Sequence, residues 1–114
     1  MHELSVTENI LEIALRHAGS AQATRITNLY LVVGQLSSIV DDSVQFYWDI
    51  ISQGTQAEGA RLHFQRIPTS LICRACDMHY QPVGDDLACS RCGSIDVRVE
   101  CGEEFYLDAI DVET

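Results

Sequence analysis

Two Cys-x-x-Cys pairs, Cys73-Arg74-Ala75-Cys76 and Cys89-Ser90-Arg91-Cys92, stand twelve residues apart in a chain of 114. That spacing lets two short turns converge on one tetrahedral ion, each turn placing two thiolates at about 2.3 Å from it. Four thiolates leave no position open to water or substrate, so the ion reads as structural zinc. Iron in a rubredoxin-like site uses the same four ligands, and spacing alone keeps that alternative open. A dithiol redox role fits less well, because it wants a single pair opening a helix in a βαβ context. A disulfide framework would leave Cys101 without a partner. No signal-peptide pattern is seen, so the expected compartment is reducing and cytoplasmic.

The stretch around the cysteines offers only Leu71, Ile72, Met78, Tyr80, Val83 and Leu87 as sizeable apolar groups. That is too little to fold unaided, whereas structural zinc contributes about 10 to 16 kcal/mol of apparent binding free energy. Chelation is expected to unfold this segment first. The formal net charge is -10, and the basic residues are all Arg and scattered, without the clusters that neutralise phosphates. No nucleic-acid partner is therefore expected on charge. No apolar run approaches the roughly 20 residues that span a bilayer, and an acidic surface is repelled by anionic lipid, so no membrane partner is expected.

Leu4, Val6, Ile10, Leu11, Ile13, Ala14, Leu15 and Ala18 recur mostly at three- and four-residue intervals before Gly19, which predicts an amphipathic helix. Arg25 to Val33 is rich in β-branched and aromatic residues and stops at Gly34, which predicts a central strand. Asp41, Asp42 and Ser43 are N-cap residue types ahead of a second helix over Val44 to Ser52, with Phe46 and Trp48 as core candidates. Leu62 and Phe64 alternate with Arg61, His63 and Gln65 until Pro68 ends a second strand. Ile95, Val97 and Val99 alternate with polar residues, and in the last run Phe105, Leu107 and Ala109 oppose Tyr106, Asp108 and Ile110. One of these strands closes the metal module and the other returns to the main sheet. The expected fold class is α+β: a small sheet with two helices, plus an inserted zinc-ribbon module. The expected division is a first domain of residues 1–69 and 103–114, with residues 70–102 as the inserted zinc-binding domain.

Met1-His2-Glu3 is the second informative feature. A terminal amine, the following amide nitrogens and the His2 imidazole can close fused chelate rings of the square-planar or tetragonal kind favoured by Ni(II) and Cu(II). His2 is bulky beside the start methionine, a context in which Met1 is expected to be retained. The plain alternative is a solvated, frayed terminus in which Glu3 simply favours the helix dipole.

Met1-His2-Glu3-Leu4-Ser5, then Val33-Gly34 with Leu36-Ser37, then the two cysteine pairs after a strand ending in Pro68, together resemble the HypA/HybF family of hydrogenase maturation nickel metallochaperones. The resemblance covers essentially the whole chain. It implies that the first domain binds nickel through His2 and Glu3, and that Cys73, Cys76, Cys89 and Cys92 hold Zn(II). It also implies that Ni(II) is a transient cargo delivered to the large subunit of nickel-iron hydrogenase alongside a maturation GTPase, with urease as a further target in related proteins. Asp41 or Asp42 is the counterpart of an acidic residue that some members place near nickel. A monomer and a dimer both stay open.

His17 is expected to complement the first helix dipole, His63 to face solvent, His79 to lie in a surface loop, and Cys101 to be a buried inert thiol. The chain has no P-loop, no G-x-G-x-x-G, no H-E-x-x-H and no ordered Ser/His/Asp set, so no enzyme activity is expected. The competing class is a zinc-ribbon interaction adaptor whose first three residues are inert.

Overall fold

The computed structural model describes residues 3–84 and 86–114. Its elements run α1 (Glu3–Ser20), β1 (Arg25–Gly34), α2 (Asp41–Ile51), β2 (Arg61–Ile67), β3 (Ser70–Cys73), β4 (His79–Tyr80), β5 (Val97–Cys101) and β6 (Phe105–Glu113). Among the described residues six strands form two three-stranded sheets, in the orders β2-β1-β6 and β4-β3-β5. This is the α+β class anticipated, with β1 central. The chain clusters into two compact units: the chain up to Val32 with Ile39–Gln65 and Phe105–Thr114, and Val33–Ser38 with Arg66–Glu104. No helix among the described residues is long and apolar enough to cross a membrane.

In the first unit, Thr7, Ile10, Ala14 and Ala18 form the buried stripe of α1 at the three- and four-residue spacing of a helix face. The Thr7 hydroxyl donates to the Glu3 carbonyl one turn back, so its burial leaves no polar atom unpaired. Gly19, where the helix was expected to stop, lies inside it. The true stop is a left-handed Gln22 (φ 54°), with the Gln22 N–H donating to the Gly19 carbonyl and the Ala23 N–H to the Ala18 carbonyl. Those two bonds are the Schellman pair, which caps a helix at its left-handed residue rather than at whichever glycine comes first.

Helix α2 begins earlier than its cap-type residues suggest. Val40 is the N-cap, extended and without a side-chain cap bond, and Asp41 and Asp42 occupy the first turn, where their charges meet the positive end of the dipole. Val44 and Trp48, one turn apart, are buried, and Trp48 is only 1% exposed. Phe46 is 60% exposed and is not a core residue, because the helix period turns position 46 away from the face shared by 44 and 48. His63 does not simply face solvent. It is half-buried, its ring stacks on Tyr30 at 4.8 Å, and its Nε2 sits 2.8 Å from Asn28 Oδ1. Along β6 the alternation changes phase at Ala109, so Ile110 and Val112 are the half-buried positions and Ala109 is exposed, opposite to the strict alternation expected.

In the second unit β3 pairs antiparallel with both β4 and β5, placing Leu71 opposite Tyr80 and Val99, and Cys73 opposite Val97. Neither β3 nor β4 was anticipated, because four and two residues are too few for a strand pattern to stand out. Ile95, read as part of a strand, precedes β5 and is 85% exposed. The segment Val33–Ser38 is bound into this unit: Gly34 N–H donates to Glu104 C=O, Gln35 N–H to Ile67 C=O and Leu36 N–H to Gly102 C=O. A Cβ on Gly34 would collide with the Gly102 backbone, and Gly102 itself has φ 117°. Backbone meets backbone there, which only glycine permits.

Replacing Gln22 with Gly should remove the left-handed strain and stabilise the protein by about 1 kcal/mol, whereas Gln22→Val should destabilise it by at least as much. Thermal melts of the zinc-loaded variants would show opposite shifts in Tm. Equal shifts would mean that the Schellman geometry does not limit stability.

Candidate metal centre

Each cysteine pair sits in the same backbone turn. In the first, the Cys73 N–H donates to the Met78 carbonyl and the Asp77 N–H returns to the Cys73 carbonyl, at 2.9 and 2.8 Å. In the second, the Cys89 N–H donates to the Ser94 carbonyl and the Gly93 N–H returns to the Cys89 carbonyl, again at 2.9 and 2.8 Å. The residue just after each pair is left-handed: Asp77 at φ 61° and Gly93 at φ 75°. Asp is among the few side chains that tolerate this conformation, and Gly has no penalty in it. The two turns are thus copies of one knuckle. Gly93 is a readable signal for that turn, but Asp77 is not.

The four Sγ atoms lie within 4.8 Å of one another, with Cys73 to Cys92 at 3.5 Å and Cys76 to Cys89 at 3.6 Å. A regular tetrahedron with metal–sulfur bonds of about 2.3 Å has sulfur–sulfur edges of about 3.8 Å. The donor set and its spacing therefore fit one tetrahedral ion, and its all-thiolate chemistry fits zinc in a closed site. Cys73 and Cys89 are buried, Cys76 is half-buried and Cys92 is exposed. The buried pair is the core of this unit, packed with Leu71 and Tyr80 and flanked by Met78, Val97 and Val99. The Tyr80 hydroxyl, otherwise unpaired inside this cluster, donates to the Leu87 carbonyl.

Without a cation the four thiols cannot all ionise. Backbone N–H groups of Cys92 and Arg91 point at the Cys89 sulfur, 3.5 and 3.4 Å away, and with the Cys92 amide as the largest influence they lower the Cys89 thiol to about 6. The Met78 amide pulls Cys76 down, but desolvation and its neighbouring thiols outweigh it and push Cys76 up to about 12. At Cys92 the Ser94 amide pulls the thiol down, but the neighbouring Cys73 thiol and local desolvation outweigh it and raise the thiol above its ordinary value. A dication reverses this balance by stabilising every thiolate at once, and it does so in competition with protons, so metal affinity falls as pH falls.

Around the cluster, His79 Nδ1 lies 3.1 Å from Glu100 Oε2, which also accepts from the Ser70 hydroxyl. His79 is exposed, as expected, but it sits in β4 rather than in a loop. Cys101 is half-buried, not buried, with its Sγ 3.8 Å from the Pro68 carbonyl, and it is not part of the four-sulfur group. Of the expected nickel residues, His2 lies outside the described residues. Glu3 opens α1, and Asp41 and Asp42 open α2.

Purified protein should take up one equivalent of Zn(II) or Co(II), with the strong visible absorption of tetrahedral thiolate cobalt. Cys89→Ala should abolish both stoichiometric binding and the ordered second unit, because it removes a ligand and a core side chain together. Retained binding at full stoichiometry in that variant would remove Cys89 from the site.

The comparisons with known proteins bear on the whole chain. The family model described as hydrogenase/urease nickel incorporation, metallochaperone, HypA matches residues 1–112. The hydrogenase maturation factor HypA of Dehalococcoides mccartyi (strain ATCC BAA-2266) is 41% identical over 114 residues, covering 99% of this chain and 95% of that protein. The factor of the same name from Caldanaerobacter subterraneus is 34% identical over 99% of this chain and 100% of its own length. The solution structure of the Ni metallochaperone HypA from Helicobacter pylori has a TM-score of 0.69 at 22% identity, covering 99% of this chain and 98% of that one, and supports the fold. By sequence over essentially its full length, this chain belongs to the HypA family of hydrogenase maturation nickel metallochaperones.

Proposed function

We propose that this protein binds Ni(II) through His2 and Glu3 and delivers it to the large subunit of nickel-iron hydrogenase, working beside a maturation GTPase in the cytoplasm. The observation that carries this reading is family membership across residues 1–112 together with the Met1-His2-Glu3 triplet, whose amine, amide and imidazole nitrogens suit Ni(II). Under this reading residues 1–69 and 103–114 serve nickel and residues 70–102 serve zinc. Glu3 contributes its amide or carboxylate. Nickel is cargo and must leave, so a site of moderate affinity suits the task better than a closed cage.

The four-thiolate site supports a structural role for its ion, because all four tetrahedral positions belong to protein. We assign the zinc module to docking: a small unit held rigid by its metal gives a partner a fixed surface. A carrier of this kind performs no bond chemistry on its cargo.

Calorimetric titration of untagged, zinc-loaded protein should show one equivalent of Ni(II) bound near micromolar affinity, about -8 kcal/mol. His2→Ala and an amino-terminal extension should each abolish that binding while zinc stays in place. Equal nickel binding in all three forms would sink the terminal site. For docking, Cys73→Ala should weaken association with the GTPase or the hydrogenase large subunit, and unchanged folding and association would rule that role out.

A further inference from the structure

The sheet order β2-β1-β6 leaves one side of β6 without a strand partner among the described residues. Its polarity can be read from the inner side. The Glu113 carbonyl accepts from the Thr24 N–H and the Asp111 carbonyl from the Thr27 hydroxyl, so both point toward β1. Alternation then turns the N–H and C=O groups of Ile110 and Val112 to the open edge. Beside that edge lies a cleft of about 260 Å³ lined by Ile13 and His17 of α1 and Leu107, Asp108, Ala109 and Ile110 of β6. Its volume is below the roughly 300 Å³ at which small-molecule sites begin, which suits a single side chain rather than a free ligand. An open strand edge with a side-chain cleft next to it is the arrangement used for strand addition by an extended peptide.

Charge decides the occupant. The edge carries Asp108, Asp111 and Glu113, all exposed, and neither Lys nor Pro, the residues that commonly block edges. Pairing β6 with β6 of a second copy would set these acids against the same acids, which is destabilising. The whole chain, at -10, repels its own copies further. The Asp108 carboxylate has no hydrogen-bond or ion-pair partner among the described residues, and one oxygen of Asp111 is already held by Tyr30 and Asn28, at 2.6 and 3.2 Å. We propose that the open edge of β6 docks an extended segment of a different protein, one that places an apolar side chain in the Ile13–Ile110 cleft and Arg or Lys opposite Asp108 and Asp111. The inference deepens the carrier reading by giving the chemistry of a partner segment, and it rests on that reading for its biological setting.

The test uses a synthetic blocked decapeptide alternating valine and arginine, titrated into isotopically labelled, zinc-loaded protein and followed by amide NMR. Shifts should centre on β6 and the α1 face of the cleft, and the Ile110 and Val112 amides should gain exchange protection. Asp108→Lys should weaken binding by about tenfold or more, whereas Asp49→Lys on α2, the same charge change elsewhere, should weaken it much less. A peptide N-methylated at alternate residues should not bind. The proposal is overturned if no β6 amide responds at millimolar peptide, if the N-methylated peptide binds as well, if both lysine variants weaken binding equally, or if β6 amides become protected by concentration-dependent self-association. Nickel titration of the same samples reports on the carrier reading separately, since the edge is not a nickel ligand.

Discussion

The second unit depends on four sulfur atoms being held at one point. Its buried cluster around the metal site is Leu71, Cys73, Tyr80 and Cys89, so half of that cluster is metal ligand. Hydrophobic burial of that extent cannot offset the ordering of some forty residues, at about 1 to 2 kcal/mol of backbone entropy each. Metal binding is therefore also folding, and the two knuckles are where both happen. Each knuckle turns its backbone N–H groups inward, so the same turns that set sulfur spacing also stabilise thiolate charge on Cys89. The backbone supports the charge on Cys89 through the Arg91 and Cys92 amides, without a cationic side chain on the sulfur.

The same economy explains the other close-packed point in this unit. Gly34, Gly102 and Thr69 bring three segments together at backbone distance, and Val33–Ser38 is bonded to the strands that enter and leave the metal module. Leu36 and Gln35 donate their N–H groups to the Gly102 and Ile67 carbonyls. Thr69 N–H donates in turn to the Gln35 side chain. The module's two connections are thus tied to one strap, and a side chain at either glycine would pry them apart.

Most of the architecture was legible because it rests on periodicity and on cysteine spacing. The α1 stripe, the central β1, Trp48 as a core residue of the second helix, and the convergence of the four cysteines all follow from spacings that physics leaves little freedom to reinterpret. The misses share a cause: each depended on geometry that a one-dimensional pattern does not contain. Gly19 is a plausible stop only until the Schellman bonds at Gln22 are seen. Phe46 is apolar, yet helix phase decides its side, and the phase was set by Val44 and Trp48. His63 is placed by a stack with Tyr30 across a strand pair, and β6 slips its alternation at Ala109. Strands as short as β3 and β4 exist because the knuckles fold the chain back on itself, not because their sequences prefer to be extended.

Two metals in one small chain, as the proposed carrier role requires, would raise a problem of separation, and ligand chemistry goes far toward solving it. Thiolates bind Ni(II) and Cu(II) as well as zinc, and the Irving–Williams order gives any site more affinity for copper than for nickel. Affinity alone therefore cannot keep cargo out of the structural position. Closure can help: all four positions around the ion belong to protein and two of the ligands are buried, so a competing ion would have to displace thiolates held by the fold. A terminal nitrogen site has the opposite character, since it needs no folded cage and can release its ion without unfolding anything. Kinetic access, rather than thermodynamic preference, would then assign each ion to its place.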